Sequence, residues 1–375
     1  MPPRAAYVHV PFCRHRCGYC NFTLIAGRDD LIEGYMKAIE RELSQLGAPQ
    51  PVGTLFLGGG TPTHLAPRQL AELLTIVLRW HPLAADAEFS VEGNPCDLTP
   101  DMVETLAEVG VNRLSLGVQS FRDPKLTTLE RDHRADDIAR AVEQARTRIQ
   151  NVALDLIFAT PGETVDQWRN DLESALAVRP SHLSTYGLTW EKGTSYWARL
   201  HRRELRPVPE EVELAMYLAA IDTLTANGFE HYEVSNFALP GRRCRHNENY
   251  WLGGEYFAAG PGAARFVGGR RETNHRSVTA WLKRIERGDS PVADSETLTP
   301  EQRARELLVF GLRRLEGLPL AWFRERTGFD AVSLGGRALD RYLNASLLEI
   351  AADQLRLTRS GLVVSDSLWP ELLVP

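Results

Sequence analysis

Three cysteines, Cys13, Cys17 and Cys20, lie close together near the start of the chain, with three and then two residues between them. Thiolates on one short loop can converge on a single metal centre. Three of them do not fill a four-coordinate site, so the remaining position must be filled from elsewhere. Because the residues between the cysteines are polar, a chance cluster of buried thiols is the weaker interpretation.

Two kinds of metal centre fit three cysteines. A structural zinc site usually takes four protein ligands, and the other cysteines, Cys96 and Cys244, are single and distant. Zinc with a remote fourth ligand therefore stays open. A [4Fe-4S] cluster normally has four cysteine ligands, so a cluster with three would leave one iron open to a small molecule. We favour the cluster.

The bulk composition limits the classes of function. The chain has 375 residues, of which 43% are hydrophobic and 25% charged, as in an ordinary globular protein. Its net charge of -6 does not indicate a basic surface for binding nucleic acid. We expect no transmembrane segment, since no apolar run approaches ~18 residues, and no signal peptide. Five cysteines, three of them crowded, indicate metal-binding thiols in a reducing cytoplasm.

More polar candidates stand at the ends of strand-like segments. A glycine run from Gly58 to Gly60, followed by Thr61, comes after one such segment; it lacks the lysine and spacing of phosphate-binding loops, and we expect its backbone to approach a ligand. Buried polar groups need partners, which a polar ligand would supply. The strand-end candidates are Glu92 and Gln119; Arg131 follows in a later loop, and Asp155 lies inside an apolar strand.

The elements that must position these residues alternate between strands and helices. Strands are predicted at 6–12, 54–57, 88–92, 113–119, 152–158 and 183–188, with amphipathic helices at 31–46, 67–80, 100–109, 135–150 and 165–178 between them. Such β-α units predict a parallel sheet with right-handed crossovers. The strands alone leave open whether it is a doubly wound sheet or a partial barrel. The polar candidates follow strands, so they should meet at the carboxyl end of the sheet.

The pattern changes after about residue 189. A helix at 210–227 precedes a strand at 230–237, and residues 244–251 are polar and aromatic without periodicity. From 298 onward, helices followed by a β-like ending at 354–364 predict a small winged-helix-like α+β module. We divide the chain into a core at 1–235, a connecting region at 236–297 and this module at 298–375. The module lacks a basic recognition helix, so DNA binding is a weak inference.

The cysteine spacing after a first strand resembles the signature of radical S-adenosylmethionine (radical SAM) enzymes. The resemblance implies a TIM-like partial (β/α)6 barrel. It also implies a [4Fe-4S] cluster on Cys13, Cys17 and Cys20, whose open iron is chelated by S-adenosylmethionine. In that family an electron from the cluster can cleave the sulfonium. A flavodoxin- or ferredoxin-type protein would be the electron donor.

Further segments resemble the oxygen-independent coproporphyrinogen oxidase group over nearly the whole chain. These are residues 7–13, 58–63, 117–121 and 155–164. The resemblance implies that eight residues contact S-adenosylmethionine: Tyr7, Gly59, Gly60, Thr61, Glu92, Gln119, Arg131 and Asp155. Three positions depart from the group's usual pattern: Glu130 where glycine is usual, Asn21 where aspartate is common, and alanine at Ala264.

Two branches of this group compete. The dehydrogenases, which decarboxylate coproporphyrinogen III to protoporphyrinogen IX, carry a further cysteine where this chain has Phe22, and begin with an extension. The HemW-type haem chaperones have phenylalanine there and an H-N-x-x-Y-W motif, matched here by His246-Asn247-Glu248-Asn249-Tyr250-Trp251. The resemblance favours a haem chaperone that delivers haem to acceptor haemoproteins, with the dehydrogenase as the alternative; whether the protein is an enzyme stays open.

The motif itself suits haem. A neutral imidazole can ligate haem iron, and aromatic rings offer stacking area. We therefore predict that His246, Tyr250 and Phe22 belong to the cofactor-binding set. A structural loop packed over the cluster site is the alternative interpretation of residues 246–251.

Overall fold

The computed structural model describes residues 4–374. The predicted outer limits of the chain's divisions, residues 1 and 375, lie outside this range. The strands are, in chain order, β1 (Ala5–Val10), β2 (Phe12–Cys13), β3 (Ile25–Ala26), β4 (Val52–Gly59), β5 (Leu83–Gly93), β6 (Arg113–Gln119), β7 (Asn151–Phe158), β8 (His182–Gly187), β9 (Glu230–Glu233), β10 (Asn236–Ala238), β11 (Tyr256–Ala259), β12 (Ala264–Val267), β13 (Arg270–Asn274), β14 (Val292–Thr297), β15 (Leu318–Pro319), β16 (Leu348–Ala351) and β17 (Gln354–Leu357).

The helices alternate with the strands through the first half of the chain and dominate its end. They are α1 (Ile32–Ser44), α2 (Pro67–Trp80), α3 (Pro100–Glu108), α4 (Asp123–Thr128), α5 (Ala135–Arg146), α6 (Val165–Ala177), α7 (Ser195–His201), α8 (Glu210–Ala226), α9 (Arg245–Trp251), α10 (Val278–Arg287), α11 (Pro300–Arg313), α12 (Leu320–Thr327), α13 (Ala331–Asn344), α14 (Arg359–Leu362) and α15 (Ser365–Leu373). None of the helices within residues 4–374 has the length and apolar character needed to cross a membrane.

Six parallel strands form the centre of the molecule in the order β1-β4-β5-β6-β7-β8. This order follows the chain, so every right-handed crossover steps in the same direction and places its helix on the same face. A doubly wound sheet would instead reverse direction at its first strand. The predicted partial (β/α)6 barrel is therefore confirmed, with helices outside and a lumen inside.

The two faces of each central strand differ in polarity. In β6, the outward side chains Leu114, Leu116 and Val118 are fully buried against the helices. The alternate side chains Arg113, Ser115 and Gln119 line the lumen. This period of two puts polar groups on the concave face of the barrel and an apolar layer beneath the helices.

The barrel is open, and its sheet continues past both edges. Beyond β1 the sheet adds β11, which is parallel, and then the antiparallel strands β12, β13 and β14; beyond β8 it adds the hairpin β10-β9. Residues 256–297 thus extend the same sheet as the core. The predicted division at 235 falls in the turn between β9 and β10, which pair with each other.

The carboxyl-terminal part has the order expected of a winged-helix-like module. Helix α11 begins after Thr299, whose hydroxyl caps it by accepting from the Gln302 backbone. Helices α12 and α13 follow, and β16 and β17 form a hairpin that joins β15 in a three-stranded sheet. The predicted β-like ending was too long, because residues 359–362 are helical and Thr358 caps that turn.

Candidate functional site

The cysteine loop leaves β1 and runs over the carboxyl end of the barrel. Cys13 and Cys17 are buried and Cys20 is half-buried. Thr61 Oγ1 lies 3.3 Å from Cys13 Sγ, and Arg131 donates from Nη1 to Cys17 Sγ over 3.7 Å. The loop is therefore held by residues that follow two other strands, rather than by its own backbone alone.

Burial raises the pKa of the Cys13 thiol to about 11 and also raises that of Cys20. Because metals bind thiolates, cluster assembly on these cysteines would release protons and should be favoured by higher pH. Within the part of the chain that the structure describes, no three His, Cys, Asp or Glu side chains are arranged around one metal ion. A [4Fe-4S] cluster presents a different iron to each cysteine and does not require that arrangement.

A second support for the loop comes from outside the barrel. Tyr196 on α7 donates from its backbone to Gly18 O over 2.9 Å, and its ring packs beside Tyr19. A Cβ at Gly18 would lie 2.8 Å from that ring and from the Glu130 carboxylate. Glycine is therefore required here by close packing between the cysteine loop and α7.

The glycine run packs its backbone against the end of β1. A Cβ at Gly59 would lie 2.2 Å from the His9 ring, and one at Gly60 would lie 2.8 Å from the backbone of residues 10–12. The Gly59 amide donates to Glu92 Oε2 over 2.9 Å. The run thus lies next to the cysteine loop, and the predicted approach of its backbone to a ligand stays a prediction.

Two carboxyl groups face the lumen below the glycine run. Burial, followed by repulsion from Asp155, raises the pKa of Glu92 to about 7, and burial also raises the pKa of Asp155. Ser115 donates to Asp155 over 3.3 Å. Carboxyl groups kept from water in this way are suited to accept hydrogen bonds from ligand hydroxyl or ammonium groups.

Gln119 and Arg131 complete this end of the lumen. Gln119 is the last residue of β6 and has a φ of 66°. The pairing of β6 with β7 shifts register just before it. Arg131 donates from Nη2 to Asn94 Oδ1 (3.0 Å) and Gly117 O (2.8 Å), while its buried Nε has no partner among the described residues. The guanidinium is thus oriented by the protein and keeps a free donor.

The predicted H-N-x-x-Y-W segment is helical, as α9, and lies at the opposite end of the lumen. His246 is 1% exposed. Its Nδ1 is 3.0 Å from Thr54 Oγ1 and its Nε2 is 2.8 Å from the Tyr250 hydroxyl, one helical turn further on. Burial, helped by the charge of Arg113, lowers the pKa of His246 to about 3, so the imidazole is neutral. Both ring nitrogens are engaged in this conformation.

Sequence reasoning missed two buried residues near this end of the lumen. Glu88 accepts from the backbone amides of Arg245 and His246, over 3.1 and 3.0 Å, and so fixes the start of α9. Arg113 is 2% exposed and lines the lumen. The strict alternation of polar and apolar residues along β6 was a signal that Arg113 faces inward.

A single cavity of about 1470 Å³ connects the two ends. All fourteen predicted site residues line it, together with Arg113 and with residues 362–367 of the carboxyl-terminal module. Phe22 stands at its mouth and is 67% exposed. Thr54 and Gly59 are five residues apart on β4, so the two ends are about 16 Å apart. The structure brings the candidates together, while their individual roles stay predictions.

Comparison with known proteins also relates this chain to radical SAM proteins. Residues 7–175 match the family model described as radical SAM superfamily, and residues 298–364 match that of the HemN C-terminal domain. Heme chaperone HemW of Bacillus subtilis is 33% identical over 99% of both chains. The protein of the same name from Mycobacterium tuberculosis is 35% identical, over 99% of this chain and 95% of its own. Coproporphyrinogen III oxidase (HemN) from Escherichia coli shares the fold, with a TM-score of 0.87, 21% identity and coverage of 99% of this chain and 90% of that one.

Proposed function

This chain belongs to the HemW family within the radical SAM superfamily, and from that premise we propose that it is a haem chaperone, which binds haem and delivers it to acceptor haemoproteins. Membership of the superfamily implies a [4Fe-4S] cluster and S-adenosylmethionine. The chaperone function itself is proposed from the relatives, which are heme chaperones by name, and from the size of the lumen.

The observation that carries the proposal is the cavity. Its volume of about 1470 Å³ exceeds the roughly 300–1,000 Å³ of ordinary small-molecule sites. Its two ends also differ in chemistry, with thiols and carboxyl groups at one and an imidazole with aromatic rings at the other. We propose that a cavity of this size and polarity holds two ligands, with S-adenosylmethionine near the cysteines and haem towards His246.

The residues at the cysteine end fit the implied cofactors. Cys13, Cys17 and Cys20 would hold the cluster. The free donor of Arg131 and the carboxyl groups of Glu92 and Asp155, whose pKa values are raised, offer partners for a polar ligand. The eight residues predicted to contact S-adenosylmethionine line this region. When bound, these cofactors supply a one-electron reductive chemistry, for which a flavodoxin- or ferredoxin-type donor is our proposed partner.

At the other end, we propose that His246 is the haem ligand. The imidazole is neutral, as iron ligation requires. Its Nε2 is hydrogen-bonded to Tyr250, so ligation requires that hydroxyl to move. Phe22 at the cavity mouth would cover the apolar face of a bound tetrapyrrole. Because free clustered thiols persist in reducing conditions, we propose the cytoplasm as the site of action.

Haem titration followed by Soret absorption tests the proposal. Changing His246→Ala should weaken haem binding, whereas His81→Ala should not, since His81 is equally buried but lies outside the cavity. Unchanged affinity in the first variant would count against His246, and absence of haem binding by the unaltered protein would count against the chaperone function.

The alternative is an oxygen-independent coproporphyrinogen III dehydrogenase. Its support is the fold shared with HemN, which at 21% identity does not extend to activity. An anaerobic assay with S-adenosylmethionine, a reductant and coproporphyrinogen III separates the two. Formation of protoporphyrinogen IX over many turnovers would replace our proposal.

A further inference from the structure

Arg113 is a buried cation that the rest of the protein does not neutralise directly. It is 2% exposed and begins β6 on the lumen side. Its Nε has no hydrogen-bond partner, and its guanidinium forms no ion pair with any carboxylate of residues 4–374. A guanidinium stays protonated under all ordinary conditions, so it cannot escape the cost of burial by losing its charge.

The nearest acids are committed to other groups. Glu88 accepts from two backbone amides of α9, and its Oε1 lies 3.7 Å from the Cys244 thiol. Asp155 accepts from Ser115. Attraction to these acids raises the pKa of Arg113 despite its burial, but its guanidinium has no hydrogen-bond acceptor among residues 4–374. An anion that enters the cavity would supply one.

The surroundings of Arg113 favour a planar carboxylate on an otherwise apolar ligand. Ser90, the residue paired with Arg113 across β5 and β6, also has a fully buried hydroxyl with no described partner. Asn247 of α9, next to His246, lines the same cavity. Phe56, in register with Ser90 and packed on the His246 ring at 5.2 Å, provides an apolar wall beside these groups.

We infer that Arg113 forms a carboxylate-binding subsite at the His246 end of the lumen, with Ser90 and Asn247 beside it, and that it takes a propionate carboxylate of the tetrapyrrole. This inference rests on the proposed function, because it names the contact that haem would make there. Along the strands, the subsite lies two residues before the level of Glu92, one of the acids predicted to contact S-adenosylmethionine. It orients the tetrapyrrole with a carboxylate inward and its opposite edge towards the cavity mouth.

The test compares haem with haem dimethyl ester, titrated in the same detergent micelles against the full chain with its cluster reconstituted. A charge-assisted hydrogen bond predicts that the unaltered protein prefers haem by about tenfold or more. In Arg113→Gln that preference should disappear, and in Arg113→Lys part of it should return. Arg305→Gln is the matched control, since Arg305 is a buried arginine outside the cavity and its loss should leave the preference intact.

The outcomes separate this inference from the proposed function. Equal affinity of the unaltered protein for haem and its ester would overturn the subsite without any variant, even if Arg113→Gln does not fold. A preference that survives in Arg113→Gln would overturn it as well. Failure of the unaltered protein to bind either ligand would instead overturn the proposed function, and the subsite with it. Asn247→Ala, on a half-buried side chain, should reduce the preference by a smaller factor.

Discussion

The two ends of the lumen are constructed differently. At the cysteine end, the thiols lie on one loop, glycines let the backbone pack tightly against the end of β1, and Arg131 keeps an unused donor. At the other end, the imidazole of His246 is bonded on both sides, to Thr54 and Tyr250. The first end is arranged before a ligand arrives, whereas the second would have to rearrange for the proposed binding of iron by His246. A protein that keeps one ligand and releases another would benefit from this difference.

The largest expected effect concerns the cysteine end. Cys17→Ala should abolish the cluster, because two remaining thiolates do not hold it, and the electron paramagnetic signal after anaerobic reconstitution and reduction should vanish. Iron and sulfide analysis measures the same loss. Cys96→Ala is the control and should keep the cluster, since Cys96 lies outside the cavity. A cluster that survives in Cys17→Ala would remove the basis for a prearranged cysteine end.

The second prediction tests whether that end is rigid. Gly60→Ala places a Cβ 2.8 Å from the backbone of residues 10–12, which cannot yield as a side chain would. We expect the free energy of unfolding, measured with urea, to fall by about 2 kcal/mol. Gly34→Ala, in helix α1 with open space around it, should instead stabilise the protein by roughly 0.5–1 kcal/mol. Equal tolerance of both changes would mean that the glycine run adapts to ligands by moving.

The third prediction tests whether the His246 end is closed. Tyr250→Phe removes the hydroxyl that holds Nε2, a hydrogen bond worth about 1 kcal/mol. If iron binding must break this bond, haem affinity should rise by roughly fivefold in a Soret titration. Tyr256→Phe serves as the control, because Tyr256 packs on the Tyr250 ring without contacting the imidazole. Weaker haem binding in Tyr250→Phe would show that the hydroxyl is part of the haem site.

The last prediction is a pH dependence at the cysteine end. The pKa of Glu92 is raised to about 7 by burial and by Asp155, against an ordinary value near 4.5. Its stabilising contribution is complete below the lower value and is lost as the pH rises through the higher one. Between pH 5 and 7.5 the unaltered protein should therefore lose stability relative to Glu92→Gln, measured by urea unfolding. Parallel pH profiles would mean that Glu92 is ionised and paired in the folded state.

Much of the cysteine end could be predicted from sequence because its signals are local. The cysteine spacing, the glycine run and the polar strand ends are each read within a few residues. The order of the strands was not readable, because periodicity gives the elements and not their neighbours. Helix α9 was missed since its seven residues are too few to show a period.

One departure from the expected pattern has a structural explanation. Glu130, where the related group usually has glycine, adopts a φ of 56°, a left-handed conformation that favours glycine. Its carboxylate pairs with Arg199 of α7 over 3.2 Å, and its carbonyl accepts from His15 over 2.5 Å. Glu130 thus links α7, through its side chain, to the cysteine loop, through its carbonyl. No local sequence pattern carries this information, because the partner is 69 residues away.

The open edges of the barrel have a mechanical consequence. A closed barrel fixes its diameter through its strand number and stagger, whereas an open sheet can flatten or coil without breaking a hydrogen bond. Here both edges of the six central strands carry further strands, so bending would be shared over a wide ribbon. The outermost strand, β14, is mostly exposed and bears Asp294 and Glu296, which discourage pairing with another chain. We therefore expect an open lumen to admit a broad, flat guest with fewer broken hydrogen bonds than a closed barrel would require.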